Sequence, residues 1–229
     1  MNFQIITIFP GMLDSYFNEG MVQRALKKKI IKIKSHNLRD WTDDKHRSVD
    51  DSPYGGGAGM VMKAEPIVKA LRALKLKVKS EKLKADSKTK KVKVVLLSAK
   101  GRKWTQAMAR KYSKLDEVIF ICGRYEGVDE RVLNFIDEEI SIGDYVLTGG
   151  ELGAAVMIDS ITRLLPGVLG NSESAVAESH SAEGILEYPQ YTRPEVLTIG
   201  KKSYKVPGVL LQGNHQKISQ WRKDHSTQQ

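Results

Sequence analysis

Two short apolar runs constrain the fold most tightly: VKVVLLS at 92–98 and EVIFIC at 117–122. Neither alternates between apolar and polar residues. A strand with one wet face would alternate, so near-continuous runs imply burial on both faces, as in a parallel sheet covered by helices. The segments around them read the same way. FQIITIFP (3–10) is β-branched and ends at Pro10-Gly11, and IIKIKSHNL (30–38) reads as a second strand. Residues 12–28, 64–76, 103–114, 127–137 and 151–165 carry helical spacing, the last ended by Pro166-Gly167. YVLT (145–148) reads as a short late strand, and a last helix starts near Asn214. Strands alternating with helices give an α/β domain with a mostly parallel sheet and helices on both faces.

Composition narrows the chemistry. The single cysteine, Cys122, excludes an intrachain disulfide and a cysteine-based zinc cage, and reads as a structural residue of a buried strand. It fits a reducing, cytoplasmic setting. The N-terminus MNFQIITIFPGML has no basic segment followed by a long apolar run, and no stretch is apolar enough to span a membrane. His36, His46, His180, His215 and His225 are scattered without metal-ligand spacing. The net charge of +10 suits a polyanionic partner. That charge is concentrated: residues 75–93 carry nine lysines against Glu81 and Asp86, a net +7. This stretch reads either as a solvated excursion or as a phosphate-contacting arm.

The glycines exclude several familiar sites. The first strand is followed by PGML, which is no dinucleotide fingerprint, and there is no P-loop, HExxH or GxSxG sequence. Glycines instead cluster in PYGGGAGM (53–60), CGRYEG (122–127) and SIGDYVLTGGELG (141–153). Glycine permits positive φ and close backbone approach to a ligand. Two such clusters after late strands, with Tyr125, Glu126 and Tyr145 interleaved, point to one ligand pocket at that end of the sheet.

DDSPYGGGAGMVM, CGRYEGVDERV, IGDYVLTGGELGA, PGVLGN, YPQYTRPEV and LLQGNH, in this order along nearly the whole chain, resemble the bacterial tRNA (guanine-N1)-methyltransferases, the TrmD family. The resemblance implies the SPOUT fold, an α/β domain with a deep trefoil knot, which connectivity rules alone would not suggest. It also implies a homodimer with active sites at the subunit interface. The expected organisation is a methyltransferase domain at 1–170, a flexible interdomain segment at 171–187, and a short tRNA-binding helical region at 188–229.

The implied cofactor is S-adenosylmethionine. Similarity assigns its pocket to Leu97, Ser98, Gly123, Tyr125, Glu126, Gly127, Ile142, Gly143, Tyr145, Leu147, Gly149 and Gly150, with Glu126 facing the ribose hydroxyls. Ala99 stands where the family often has proline. The implied reaction is methyl transfer to N1 of guanosine 37 in tRNA. That nitrogen carries a proton, so a general base is needed, and negative charge grows on O6. The family places an Arg and a flexible Asp in these roles; they fall on Arg163 and Glu178 here, with Glu173 and Glu183 as neighbouring carboxylates. Asp50 is placed near the target nucleotide. Tyr54 suits stacking on a splayed base, and Arg193 and Arg222 suit tRNA contact. The family is reported to depend on Mg2+, for which no site is visible in the sequence. Members usually continue past QWR with further basic helix, which implies a reduced distal tRNA surface in this chain. Another SPOUT RNA methyltransferase, or a catalytically silent RNA-binding module retaining the pocket, are the competing readings.

Overall fold

The computed structural model describes residues 1–84, 90–170, 179–180 and 184–228. The chain divides into two compact units, Met1–Gly170 and Asn171–Gln229.

The first unit is built on a five-stranded sheet. Its strands are β1 (Asn2–Thr7), β2 (Lys32–Asn37), β5 (Val92–Lys103), β6 (Glu117–Cys122) and β7 (Glu138–Ser141), in the spatial order β2-β1-β6-β5-β7. Every pairing in it is parallel. The helices are α1 (Asp14–Phe17), α2 (Gly20–Lys27), α3 (Ala64–Lys84), α4 (Gln106–Tyr112) and α5 (Glu151–Thr162).

The unbroken apolar runs are explained by two cores. On one face, Phe3, Val95, Leu97, Val118, Phe120 and Ile140 pack with Val22, Met108, Met157 and Ile161 of α2, α4 and α5. On the other, Ile6, Val94, Leu96, Ile119 and Ile121 pack with Leu38 and with Ile67 and Leu71 of α3. Successive residues of a strand face opposite sides, so β5 and β6 must be apolar at both parities. Phe120 is fully buried and lies 6.3 Å from Phe3 ring to ring. Truncating it to alanine would cost about 3–5 kcal/mol.

The structure departs from the sequence-based expectation in several places. Residues 12–28 form two helices, because the chain turns extended at Glu19 (φ −131°, ψ 163°) and then takes a φ of +61° at Gly20. The third helix continues past Leu76 to Lys84. Strand β5 extends beyond Ser98 to Lys103, with a register shift against β7 between Leu97 and Arg102. Residues 127–137 contain a 3-10 turn, Glu130–Phe135, where a helix was expected; the Asp129 side chain accepts from Arg131 N–H at its start. A regular helix cannot begin earlier, since Gly127 and Asp129 are bonded to Met62. The late strand is Glu138–Ser141 and not Tyr145–Thr148.

Two short strands, β3 (Asp50–Asp51) and β4 (Val61–Met62), pair antiparallel within the long glycine-containing stretch. Met62 then bridges to Val128.

The second unit is small. Strand β8 (Ile185–Leu186) pairs with β11 (Thr227–Gln228), and β9 (Val196–Ile199) forms a hairpin with β10 (Lys202–Lys205). Helix α6 (His215–His225) is capped by Asn214, whose side chain accepts from Lys217 N–H at 3.1 Å. No described residue of this unit is fully buried. Its organising contacts are aromatic: Trp221 stacks on His225 at 4.1 Å and meets Tyr188 and Tyr191 at 6.4 and 6.3 Å.

Candidate functional site

A cavity of about 420 Å³ opens in the first unit at the register shift of β5 and the ends of β6 and β7. This is where open parallel sheets place their ligands, and the volume suits a small organic molecule. All of the residues expected to hold the cofactor, from Leu97 and Ser98 through Gly123–Gly127 to Gly149 and Gly150, border it.

Close backbone packing dictates the glycines. Gly150 N–H donates to Gly123 C=O at 3.0 Å, which joins the loop after β6 directly to the start of α5. A Cβ on Gly150 would stand 2.8 Å from Cys122 Cα and 2.9 Å from Leu97 Cβ, so no side chain fits. The loop after β7 is closed by its own bonds. Ser141 Oγ donates to Gly143 C=O at 2.9 Å, and the Tyr145 hydroxyl donates to Ile142 C=O at 3.1 Å.

The loop after β6 is held from outside. Glu126 N–H donates to Met60 C=O at 3.0 Å, and Met62 N–H donates to Gly127 C=O at 2.9 Å. Tyr125 directly precedes these anchors, with φ of +60°. A non-glycine residue there is strained and persists only when its surroundings over-determine it. The same pairing carries Asp50, through β3 and β4, to Tyr125. Burial, then the charge and hydrogen bond of Asp50, raise the Tyr125 pKa. Asp50 therefore adjoins the pocket rim.

Burial pushes the Cys122 thiol well above its ordinary pKa, and the Glu151 charge adds to this. A protonated, fully buried thiol is no nucleophile.

Other expected site residues lie elsewhere. Arg163 follows the C-terminal end of α5, whereas Glu151 at the other end adjoins the pocket. The helix rise separates them by roughly 18 Å, and Arg163 is not among the residues that border the cavity of its own chain. Tyr54 projects fully into solvent from the loop after β3. Arg193 and Arg222 belong to the second unit, where the Arg222 guanidinium lies 4.9 Å from the Tyr188 ring centroid. Glu178, Glu173 and Glu183 lie outside the described residues. Among the described residues, no group of three or more His, Cys, Asp or Glu side chains is placed to hold a metal ion. No described helix is long and apolar enough to cross a membrane.

Sequence reasoning missed a buried network beside the cavity. Glu151 is 2% exposed. It accepts from Thr7 Oγ1 at 2.6 Å and from Arg124 Nε and Nη2 at 3.1 and 2.9 Å. Arg124 also donates to Thr148 C=O at 3.1 Å, and its guanidinium lies 4.8 Å from the Phe9 ring centroid. Its members come from distant parts of the chain, so no local pattern signals it. The one hint is a glutamate directly after Gly149-Gly150, at the start of an apolar helix.

A family model described as tRNA (Guanine-1)-methyltransferase TrmD matches residues 1–229. The chain belongs to the TrmD family. Relatives named tRNA (guanine-N(1)-)-methyltransferase include that of Dictyoglomus turgidum, 51% identical over 97% of this chain and 84% of the relative. That of Citrifermentans bemidjiense is 49% identical over 97% and 84%. That of Clostridium botulinum is 49% identical over 99% and 87%. In TrmD terms, the motifs CGRYEG and SIGDYVLTGGELG form the two loops that wall the cavity.

Proposed function

We propose that this TrmD-family protein transfers the methyl group of S-adenosylmethionine to N1 of guanosine 37 in tRNA. The observation that carries the reading is the glycine-walled cavity at the register shift of β5 and the ends of β6 and β7 in a chain of this family.

The residues present fit the cofactor. It has no phosphate, and the cavity has no phosphate-cradling loop. Backbone groups around Leu97, Ile142 and Leu147 suit the adenine edge, and the Glu126 carboxylate suits the ribose hydroxyls. Gly149 and Gly150 let the two loops pack closely into one wall, since a Cβ would meet Arg124 at the first and Cys122 Cα and Leu97 Cβ at the second. When bound, S-adenosylmethionine supplies a methyl group made electrophilic by its sulfonium.

The protein's own work is on the nucleophile. The Glu178 carboxylate takes the N1 proton of guanine, which frees the lone pair in the ring plane. The Arg163 guanidinium bears on the charge that grows at O6. Asp50 and Tyr54 bound the space for the target nucleotide, and Arg193 and Arg222 contact the tRNA. Glu178 stands where the family has Asp and reaches one methylene farther.

The protein acts as a homodimer. Arg163 does not border its own chain's cavity, and a second copy can present Arg163 to that cavity. The trefoil knot of the SPOUT fold belongs to the same reading.

Calorimetric titration with S-adenosylmethionine, followed by a transfer assay on tRNA bearing G at positions 36 and 37, tests the reading. Binding with transfer supports it. Binding without transfer favours a silent RNA-binding module, and transfer elsewhere favours another RNA methyltransferase.

A further inference from the structure

Glu151 is a buried charge that the transfer step does not use. It occupies the first position of α5, where the helix dipole favours a carboxylate. Its oxygens gather Thr7 from the end of β1 and Arg124 from the loop after β6. Arg124 then reaches Thr148 in the loop that follows β7. One ion pair thus ties together the two glycine-rich loops that wall the cavity.

A buried ion pair is weak evidence for stability, because apolar residues of similar volume often serve as well. Its distinguishing property is directional geometry. Glycine loops need that property here. They have few side chains to lock them, and Tyr125 is held at a strained φ. Between the loop after β6 and the start of α5, Gly150 N–H to Gly123 C=O is the direct main-chain bond among the described residues. Arg124 is itself fixed on every side: by Glu151, by Thr148 C=O, by the Phe9 ring and by Met12 Sδ at 3.1 Å.

We propose that Glu151 is a positioning residue for methyl transfer: through Arg124 it sets the spacing of the two loops, and so the shape in which the cofactor is held. The proposal rests on the cavity being the cofactor site.

The test compares Glu151→Gln, Glu151→Asp, Thr7→Val and the double variant Arg124→Gln/Glu151→Gln with the unaltered protein. Each is measured for thermal stability, S-adenosylhomocysteine affinity, kcat and KM, and hydrogen exchange of the two loops. Glutamine keeps the shape of Glu151 but loses its charge and replaces one acceptor oxygen with an amide donor. The expected result is a Kd raised about tenfold or more and a kcat lowered up to about 100-fold through misplacement. Loop amides exchange faster while the sheet core keeps its protection. Glu151→Asp recovers part of both losses. The double variant removes the uncompensated charge, so its melting temperature rises above that of Glu151→Gln while its affinity stays low. Recovery of affinity together with stability would make Glu151 merely structural and overturn the proposal, as would unchanged affinity, kcat and exchange in Glu151→Gln. Should Glu151→Gln fail to fold, Thr7→Val decides: a smaller rise in Kd with faster loop exchange supports the proposal, and no change in either overturns it. If the unaltered protein binds no cofactor, the reading of the cavity fails separately. Loop exchange then decides the spacing claim alone, and unchanged exchange in Glu151→Gln overturns it.

Discussion

The Asp50 charge bears on Tyr125 at the rim of the cavity, where the main chain of Met60 and Met62 joins the β3–β4 strand pair to the strained loop after β6. Burial contributes most to the raised Tyr125 pKa and Asp50 contributes next. Asp50→Asn is therefore expected to lower that pKa without returning it to the ordinary value, which ultraviolet titration of the phenolate will read. Asp50 also borders the proposed nucleotide site, so the same variant should lower kcat/KM for tRNA by about tenfold or more while cofactor affinity changes little.

Gly150→Ala tests the backbone contact between the loops. The new methyl group would meet Cys122 Cα and Leu97 Cβ, and neither is a flexible tip. Overpacking of this kind costs about 1–3 kcal/mol. A lowered melting temperature and a loss of cofactor binding by calorimetry are expected.

Tyr16 donates to the Asp159 carboxylate across α1 and α5. That hydrogen bond, then desolvation, then the Asp159 charge push its pKa up to about 12 from 10.0. The folded state thus holds the proton more tightly than the unfolded chain. The contribution to stability is complete below pH 10 and is lost as pH rises from 10 through about 12. Denaturant titrations in this window should show a decline that Tyr16→Phe flattens.

Arg193 and Arg222 are proposed phosphate contacts. Replacing either with Gln should weaken tRNA binding and reduce the salt slope of log affinity by about 1. A lower affinity with an unchanged slope would remove that residue from the backbone interface. Arg222 also packs on Tyr188, so folding of the second unit must be verified by its tryptophan emission.

The sheet was legible where strands are buried on both faces. The runs at β5 and β6 carry that signal because alternate residues feed different cores. Strand β7 was not legible. Its sequence, EEIS, begins with two acids; Glu138 pairs with Lys93 at 2.8 Å, and only Ile140 and Ser141 are buried. The apolar residues of YVLT suggested a strand instead, yet Val146 is 87% exposed and the segment is a loop beside the cavity. The glycine clusters marked the cavity because their cause is local: backbone approach. The Arg124–Glu151–Thr7 network left no such mark, since its members meet only through the fold.

The most direct measurement locates the methyl group by mass spectrometry in tRNA bearing G at positions 36 and 37, after incubation with S-adenosylmethionine. The expected result is N1-methylguanosine at position 37 with the unaltered protein, and little or none with Glu178→Gln despite normal cofactor binding. A methyl group on another nucleotide, or no transfer by a protein that binds the cofactor, would contradict the proposed function.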